Sequence, residues 1–187
     1  MNQIFGQAFM ESFERVPELM TEHIRLSFSA LALGLLIALP LAIWAARSKR
    51  VAQIALGFAS LVQTIPALAL LALFYPLLLA LSNIMGDIIS PLGFLPSLLA
   101  LTLYALLPIM RNAVTGLNGV NPALKEAADG IGMTQMQKLR MVEAPLAAPT
   151  IMAGIRTASV WTIGAATLST TVGQASLGNL IFTGLQI

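Results

Sequence analysis

The chain is predicted to be an all-α integral membrane protein, a polytopic helical bundle, and three observations lead there. First, 57% of its 187 residues are hydrophobic and only 10% charged, with a mean hydropathy of +0.85, whereas a soluble domain carries about 25% charged residues. Second, apolar runs recur at the length of about 20 residues that a helix needs to cross a bilayer. Third, one polar, helix-coded island, EAADGIGMTQMQKLRMVEAP from Glu126 to Pro145, lies between those runs. A membrane protein that keeps such an island offers it to a soluble partner.

The residues divide into an N-terminal interfacial segment, 1–22, and a transmembrane domain, 23–187, whose cytoplasmic loop spans 121–149. In the first segment Phe5, Phe9, Phe13 and Val16 recur at helical spacing opposite Glu11, Glu14 and Glu18, the pattern of a helix lying in an interface. Its acidic start and the length of the apolar run behind it do not fit a cleavable signal. The first span, Leu26 to Ala46, is followed by Arg47, Lys49 and Arg50, which by the positive-inside rule places that end in the cytoplasm and the N-terminus outside.

The second span is expected from Ile54 to Leu81, kinked at Pro66 and Pro76 because each proline removes a backbone donor. Kinked helices line cavities where the freed carbonyls find partners. Asn83, Gly86, Asp87 and Pro91 mark an external loop. The third span begins near Pro96 and reaches the inside around Arg111. Asn121 and Pro122 then open a short helix, the Asn capping and the Pro fitting the first turn. Gly132 closes that helix through the left-handed conformation. Thr134 and Gln137 form a capping box for a second short helix, and Pro145 and Pro149 turn the chain back to the membrane. A fourth span is expected from Ile151 to Val172.

Arg47, Lys49, Arg50, Arg111, Lys125, Lys138, Arg140 and Arg156 all fall at or near the inner boundary in this arrangement, leaving only Arg15 and Arg25 of the ten basic residues outside. That bias supports the topology. The same scatter gives no stripe for a phosphate backbone, so nucleic acid is excluded as a partner despite a pI near 9.4. There are no cysteines, which removes disulfides, thiolate metal sites and cysteine nucleophiles together. No cofactor and no metal site is expected. ATP has no Gly-rich loop here to hold its phosphates.

The spacing of Glu126, Ala127, Ala128, Gly132, Val142 and Pro145 resembles the EAA loop of ABC importer permeases, the segment that docks on the cytoplasmic ATPase. Val142 and Ala144 stand where that pattern has Ile and Leu. The stretches Gln63 to Leu78, Leu103 to Ala128 and Ile151 to Gln186 are similar to the osmoprotectant branch of these permeases. The resemblance implies a type I importer permease fold with four spans visible and a last span beyond Ile187. It implies import of glycine betaine, choline or a similar quaternary ammonium compound across the bacterial cytoplasmic membrane. The implied partners are two ABC ATPase subunits, a second permease subunit, identical or paralogous, and an extracytoplasmic substrate-binding protein. Lys125, Glu126, Asp129, Lys138 and Arg140 then read as rim charges of the coupling loop, which favour orientation and on-rate over affinity.

Trp161, mid-span and followed by Thr162, Thr167, Ser169, Thr170 and Thr171, is a candidate pathway residue for a cation attracted to aromatic faces, or else a core Trp packed between helices. Pro66 and Pro76 join Trp161 and Thr162 as candidate pathway positions. Arg111 and Arg156 read as side chains snorkelling to headgroups, Trp44 as an interfacial anchor, and His23 as a surface histidine. An ion-coupled carrier would want an acidic residue at mid-membrane, and none occurs in the four proposed spans. A membrane enzyme lacks a place for its chemistry, with one His and no paired carboxylates. A permease for amino acids or methionine differs only in cargo, which the loop does not distinguish.

Overall fold

A computed structural model describes residues 13–86 and 88–185; the expectations for Phe5, Phe9, Glu11 and Asp87 fall outside them. The first apolar run folds as α1, Val16–Arg47, a 32-residue helix. At 1.5 Å per residue it is about 48 Å long, beyond the roughly 30 Å of hydrocarbon in a bilayer, so Glu18 and Arg47 at its two ends can both reach polar surroundings. Pro40 lies inside α1 without ending it.

The expected second span is two helices: α2, Lys49–Thr64, and α3, Ala67–Met85. Pro66 does not kink a helix; it stands at the N-cap of α3 with extended backbone, φ −54° and ψ 138°, and a residue before proline is itself biased away from the helical region. Pro76 does lie inside α3. The third run forms α4, Phe94–Asn118, which continues past Arg111. The short helices α5, Pro122–Gly130, and α6, Gln135–Lys138, follow.

Pro145 and Pro149 do not turn the chain. A π-helical turn, Leu139–Glu143, joins α6 directly to α7, Ala144–Ala166. Proline cannot donate to the carbonyl four residues back and its ring crowds that carbonyl. A widened turn absorbs the conflict, and the amide of Ala144 bonds the carbonyl of Leu139 instead. Beyond Ala166 the expected fourth span narrows to a 3-10 turn, Thr167–Val172, before the final short helix α8, Gly178–Gly184.

Three described helices are long and apolar enough to cross a membrane: α1, α3 and α4. α7, the expected fourth crossing, is not among them, because Ala, Gly, Ser and Thr fill much of its length and Arg156 interrupts it.

The contacts group into two units. The first holds the described residues of 1–31, 65–102 and 161–187. Leu26 and Ala30 of α1, Leu101 of α4 and Ala166 of α7 form its core, with Phe94 and Leu98 against it. His23 is buried here, not at the surface, and its Nε2 lies 3.1 Å from the carbonyl oxygen of Ile163. Of the hydroxyls after Trp161, those of Thr167, Thr170 and Thr171 brace the 3-10 turn, whereas those of Thr162 and Ser169 are buried without a partner among the described residues. Thr167 and Thr171 donate to the carbonyls of Gly164 and Leu168, and Thr170 bonds Ser176 and Asn179. A tight turn leaves carbonyls without α-helical partners, and short hydroxyl side chains satisfy them locally.

The second unit holds 32–64 and 103–160. Ala42 and Ala45 of α1 pack on Ala113 and Val114 of α4, and Leu117 and Val120 pack on Ala147 of α7. The α4 and α7 backbones approach closely, since a Cβ on Gly154 would stand 2.6 Å from both the Pro108 carbonyl oxygen and Asn112 Cβ. Small residues at helix crossings permit such approach and the dispersion contacts that hold membrane helices together.

Gly154→Ala is therefore expected to lower stability by about 1–3 kcal/mol, the usual cost of overpacking. Gly164→Ala, in the same helix with nothing within 4 Å of the added Cβ, should be neutral or stabilising by up to about 1 kcal/mol from helix propensity. Thermal unfolding of both variants in one detergent checks the contrast.

Candidate coupling site

The polar island is built almost entirely from its own caps. Asn121 precedes α5 and its side chain accepts from the amide of Ala123 at 2.9 Å, with Pro122 in the first turn. At the other end Gly132 adopts φ +80°. The amides of Gly132 and Met133 bond the carbonyls of Asp129 and Ala128, each at 3.0 Å, which is the Schellman closure. Ala128 thus has a backbone role in the motif, and its side chain is buried. Thr134 and Gln137 make the reciprocal capping box in front of α6, the Thr134 amide reaching Gln137 Oε1 at 2.8 Å and the Gln137 amide reaching Thr134 Oγ1 at 3.3 Å.

The charges of the island are not all on its rim. Lys138 is buried and its Nζ donates to both carboxylate oxygens of Asp129 at 2.6 and 2.8 Å, clamping α5 to α6. Lys125 donates to the carbonyl of Leu117 at 2.9 Å, in the last turn of α4, where carbonyls lack intrahelical partners. Only Glu126 and Arg140 of the five expected rim charges remain both exposed and outside these ties. The reason is chain length: within a loop this short, Lys138 and Lys125 reach acceptors on adjacent turns.

Sequence reasoning passed over Glu143. Only 1% of its side chain is exposed, and both its oxygens are held by the guanidinium of Arg47, Nη1 donating to Oε1 at 2.9 Å and Nη2 to Oε2. Lys125 Nζ stands 3.9 Å from Oε1. A two-pronged Arg–carboxylate contact is among the strongest hydrogen-bonded pairs, and removing one partner of a buried pair costs about 3–5 kcal/mol; the 40% exposure of Arg47 places this one near or below the lower end. One signal was in the sequence: Glu143 is the last acidic residue of the chain, set among Met141, Val142 and Ala144.

The outer face of the island carries Glu126, Ala127, Ile131, Gly132, Met136, Met141 and Pro145, all exposed, while Val142 is half-buried. Beside it a cavity of about 450 Å³ opens between Gly116 and Gly119 of α4, Leu124 of α5, and Leu146 and Thr150 of α7. Pro66, Pro76 and Trp161 are exposed, whereas Thr162 is buried with its hydroxyl unpaired among the described residues. A groove of about 410 Å³ lined by Leu68, Ala72, Tyr75, Leu92, Thr171 and Val172 runs along α3. Arg111 is exposed and 3.4 Å from Ser60 Oγ, and Arg156 and Trp44 are exposed as well.

Comparison with known proteins bears on this arrangement. A family model described as the binding-protein-dependent transport system inner membrane component matches residues 38–187. The choline transport system permease protein OpuBB of Bacillus subtilis is 45% identical over 166 residues, 89% of this chain and 71% of that protein. The osmoprotectant import permease protein OsmW of Salmonella typhimurium is 42% identical over 164 residues, 88% and 73% of the two chains. Among solved structures, the MetNI methionine ABC transporter matches with a TM-score of 0.76 at 22% identity, covering 91% of this chain and 80% of its own. An amino acid ABC transporter matches at 0.74 and 20% identity, covering 97% and 82%. At those identities the structures speak for the fold alone.

Asp129→Asn should leave the buried Lys138 charge uncompensated and loosen the hinge between α5 and α6. The expected result is amide exchange at 128–138 faster by about tenfold or more, a loss of roughly 1.4 kcal/mol, with exchange in α4 unchanged. Hydrogen exchange with mass spectrometry on the detergent-solubilised protein measures it.

Proposed function

The chain belongs to the binding-protein-dependent transport system inner membrane component family, and from that premise we propose that it is the permease subunit of an ATP-driven importer of small quaternary ammonium osmoprotectants. It is a membrane-embedded transport protein whose family works with an ABC ATPase and a substrate-binding protein. Cargo is inferred from the relatives, whose names specify choline, glycine betaine, carnitine and osmoprotectants. The observation that carries the coupling role is the shape of the island: two short helices, locked by three caps and a buried clamp, with an outer face of Glu126, Ile131, Met136 and Met141 left uncovered.

In this assembly two permease subunits, identical or paralogous, pair with two ATPase subunits on the cytoplasmic side. Glu126, Ala127, Ala128, Gly132, Val142 and Pro145 shape the contact, Gly132 by setting the angle between the helices. The N-terminus of α1 lies outside, which agrees with the basic cluster Arg47, Lys49 and Arg50 at its other end. ATP binding closes the ATPase pair and carries the loop as a rigid body, a movement between packed states. The loaded binding protein favours the outward state through contacts it makes only there. Along the path, the groove beside Tyr75 offers an aromatic face and apolar walls of Leu68, Ala72 and Leu92, a chemistry suited to a methylated cation. Trp161, exposed at the end of α7 near Thr162, is a second aromatic on that route. A methionine or amino acid cargo has support only from fold likeness.

Reconstitution in liposomes with the ATPase and binding protein encoded beside it tests the whole proposal. Labelled glycine betaine or choline is expected to accumulate only with ATP and the binding protein present, while methionine does not. Glu126→Lys and Gly132→Asp should each reduce co-purification of the ATPase at least tenfold with insertion intact, the second because a β-carbon is strained at φ +80°. Unchanged co-purification would remove the coupling role, and uptake of methionine in place of osmolytes would remove the cargo.

A further inference from the structure

Resting on the coupling role proposed above, we infer that Glu143, Arg47 and Lys125 form a charged linkage through which movement of the loop is delivered to α1 and α4, so that these three are positioning residues for transport and not merely fold-stabilising ones. The island is continuous in chain with α4 before it and α7 after it, but it has no covalent tie to α1. The ion pair from Glu143 to Arg47 supplies that tie across 96 residues of sequence.

The location of the three charges gives the linkage its character. Arg47 is the last residue of α1, and Lys125 donates to Leu117 in the last turn of α4. Helix C-termini carry about half a negative charge each, and cations there are favoured. Two cations, one carboxylate and two such ends sum to about zero, so the cluster is balanced while Glu143 is almost fully withdrawn from solvent. Removing Glu143 leaves both cations uncompensated, and removing Arg47 leaves the buried carboxylate with only the more distant Lys125.

A charged junction does what an apolar one does not. Packed Ala42, Ala113, Ala147 and their neighbours hold helices together but allow them to slide or rotate, because dispersion is non-directional. The planar guanidinium fork accepts a carboxylate in few geometries, so the orientation of the π turn relative to the end of α1 is set by Glu143 and Arg47. The π turn itself adds one residue to the helical register between Lys138 and Pro145, and Glu143 emerges on the buried side while Met141 and Pro145 face out. The loop surface thus moves together with the ends of α1 and α4.

The test is the ratio of substrate taken up to ATP hydrolysed, measured in liposomes on complexes already shown to contain the ATPase. Glu143→Gln, which keeps the shape and loses the charge, and Arg47→Gln are expected to retain ATPase association and hydrolyse ATP, with uptake per ATP reduced at least tenfold. Arg47→Lys, which keeps charge without the fork, should retain more of the ratio than Arg47→Gln. A ratio within twofold of the parent in the assembled Glu143→Gln complex overturns the linkage. So does loss of ATPase association in a folded Glu143→Gln protein, since that would make the residue part of the docking surface's own structure. Should Glu143→Gln fail to accumulate in the membrane, Lys125→Met decides, because it leaves the Arg47 fork in place: a reduced ratio supports the linkage and an unchanged one overturns it. Glu126→Lys run alongside separates the premises, as its normal ATPase association would remove the coupling role itself, and the linkage with it.

Discussion

The carboxylate of Glu143, closed off from solvent between Arg47 and Lys125, is the constraint on which the second unit depends. Each side chain alone would be costly to bury. Together, at the negative ends of two helices, they turn that cost into a demand for one arrangement. Three elements distant in sequence, the end of α1, the end of α4 with α5, and the turn before α7, come together around the buried carboxylate. The surrounding packing is consistent with this demand. The residues near the cluster are small, with Ala45, Ala113 and Ala147 buried, and Gly116 lets the Ala147 carbonyl approach to about the distance of a missing side chain.

The first unit solves a different problem with different means. It has no buried ion pair among its described residues; the Glu22–Arg25 pair is solvent-accessible and the core is aliphatic, Leu26 against Leu101 with Phe94 alongside. His23 bonds a backbone carbonyl, Thr167 and Thr171 of the 3-10 turn bond carbonyls three residues back, and Thr170 bonds the side chains of Ser176 and Asn179. Gly178 sits where a Cβ would lie 1.8 Å from the Thr167 carbonyl oxygen, so the chain after the turn folds flat onto it. Thr167 and Thr171 satisfy backbone carbonyls locally, as surroundings without water require.

Local chemistry was legible in the sequence, and long-range chemistry was not. Asn121 and Pro122, Gly132, and Thr134 with Gln137 announce helix ends because capping involves residues two or three apart, and each appears where expected. The all-α class followed from composition and run length. Pro66 reads as a kink from sequence because a proline inside an apolar run looks alike whether it bends one helix or, as here, stands extended between two. Pro145 reads as a turn for the converse reason: a π turn upstream can absorb a proline that an α-helix would reject. The burial of His23, Lys138 and Glu143 depends on partners supplied by other elements, and no spacing rule encodes a bond between residues 47 and 143.

The caps around the island have a consequence for the speed and economy of assembly. Association usually loses part of its driving force to ordering of loops and side chains at the contact. Here the backbone groups at both ends of α5 and at the start of α6 are satisfied internally, and Lys138 pins the two helices from beneath. The surface is shaped before any partner arrives. A soluble protein meeting it encounters a template, not a disordered segment that must fold on contact, and little conformational entropy remains to be lost. A surface so shaped can bind and release without being rebuilt, which suits the repeated cycles that the proposed coupling role entails.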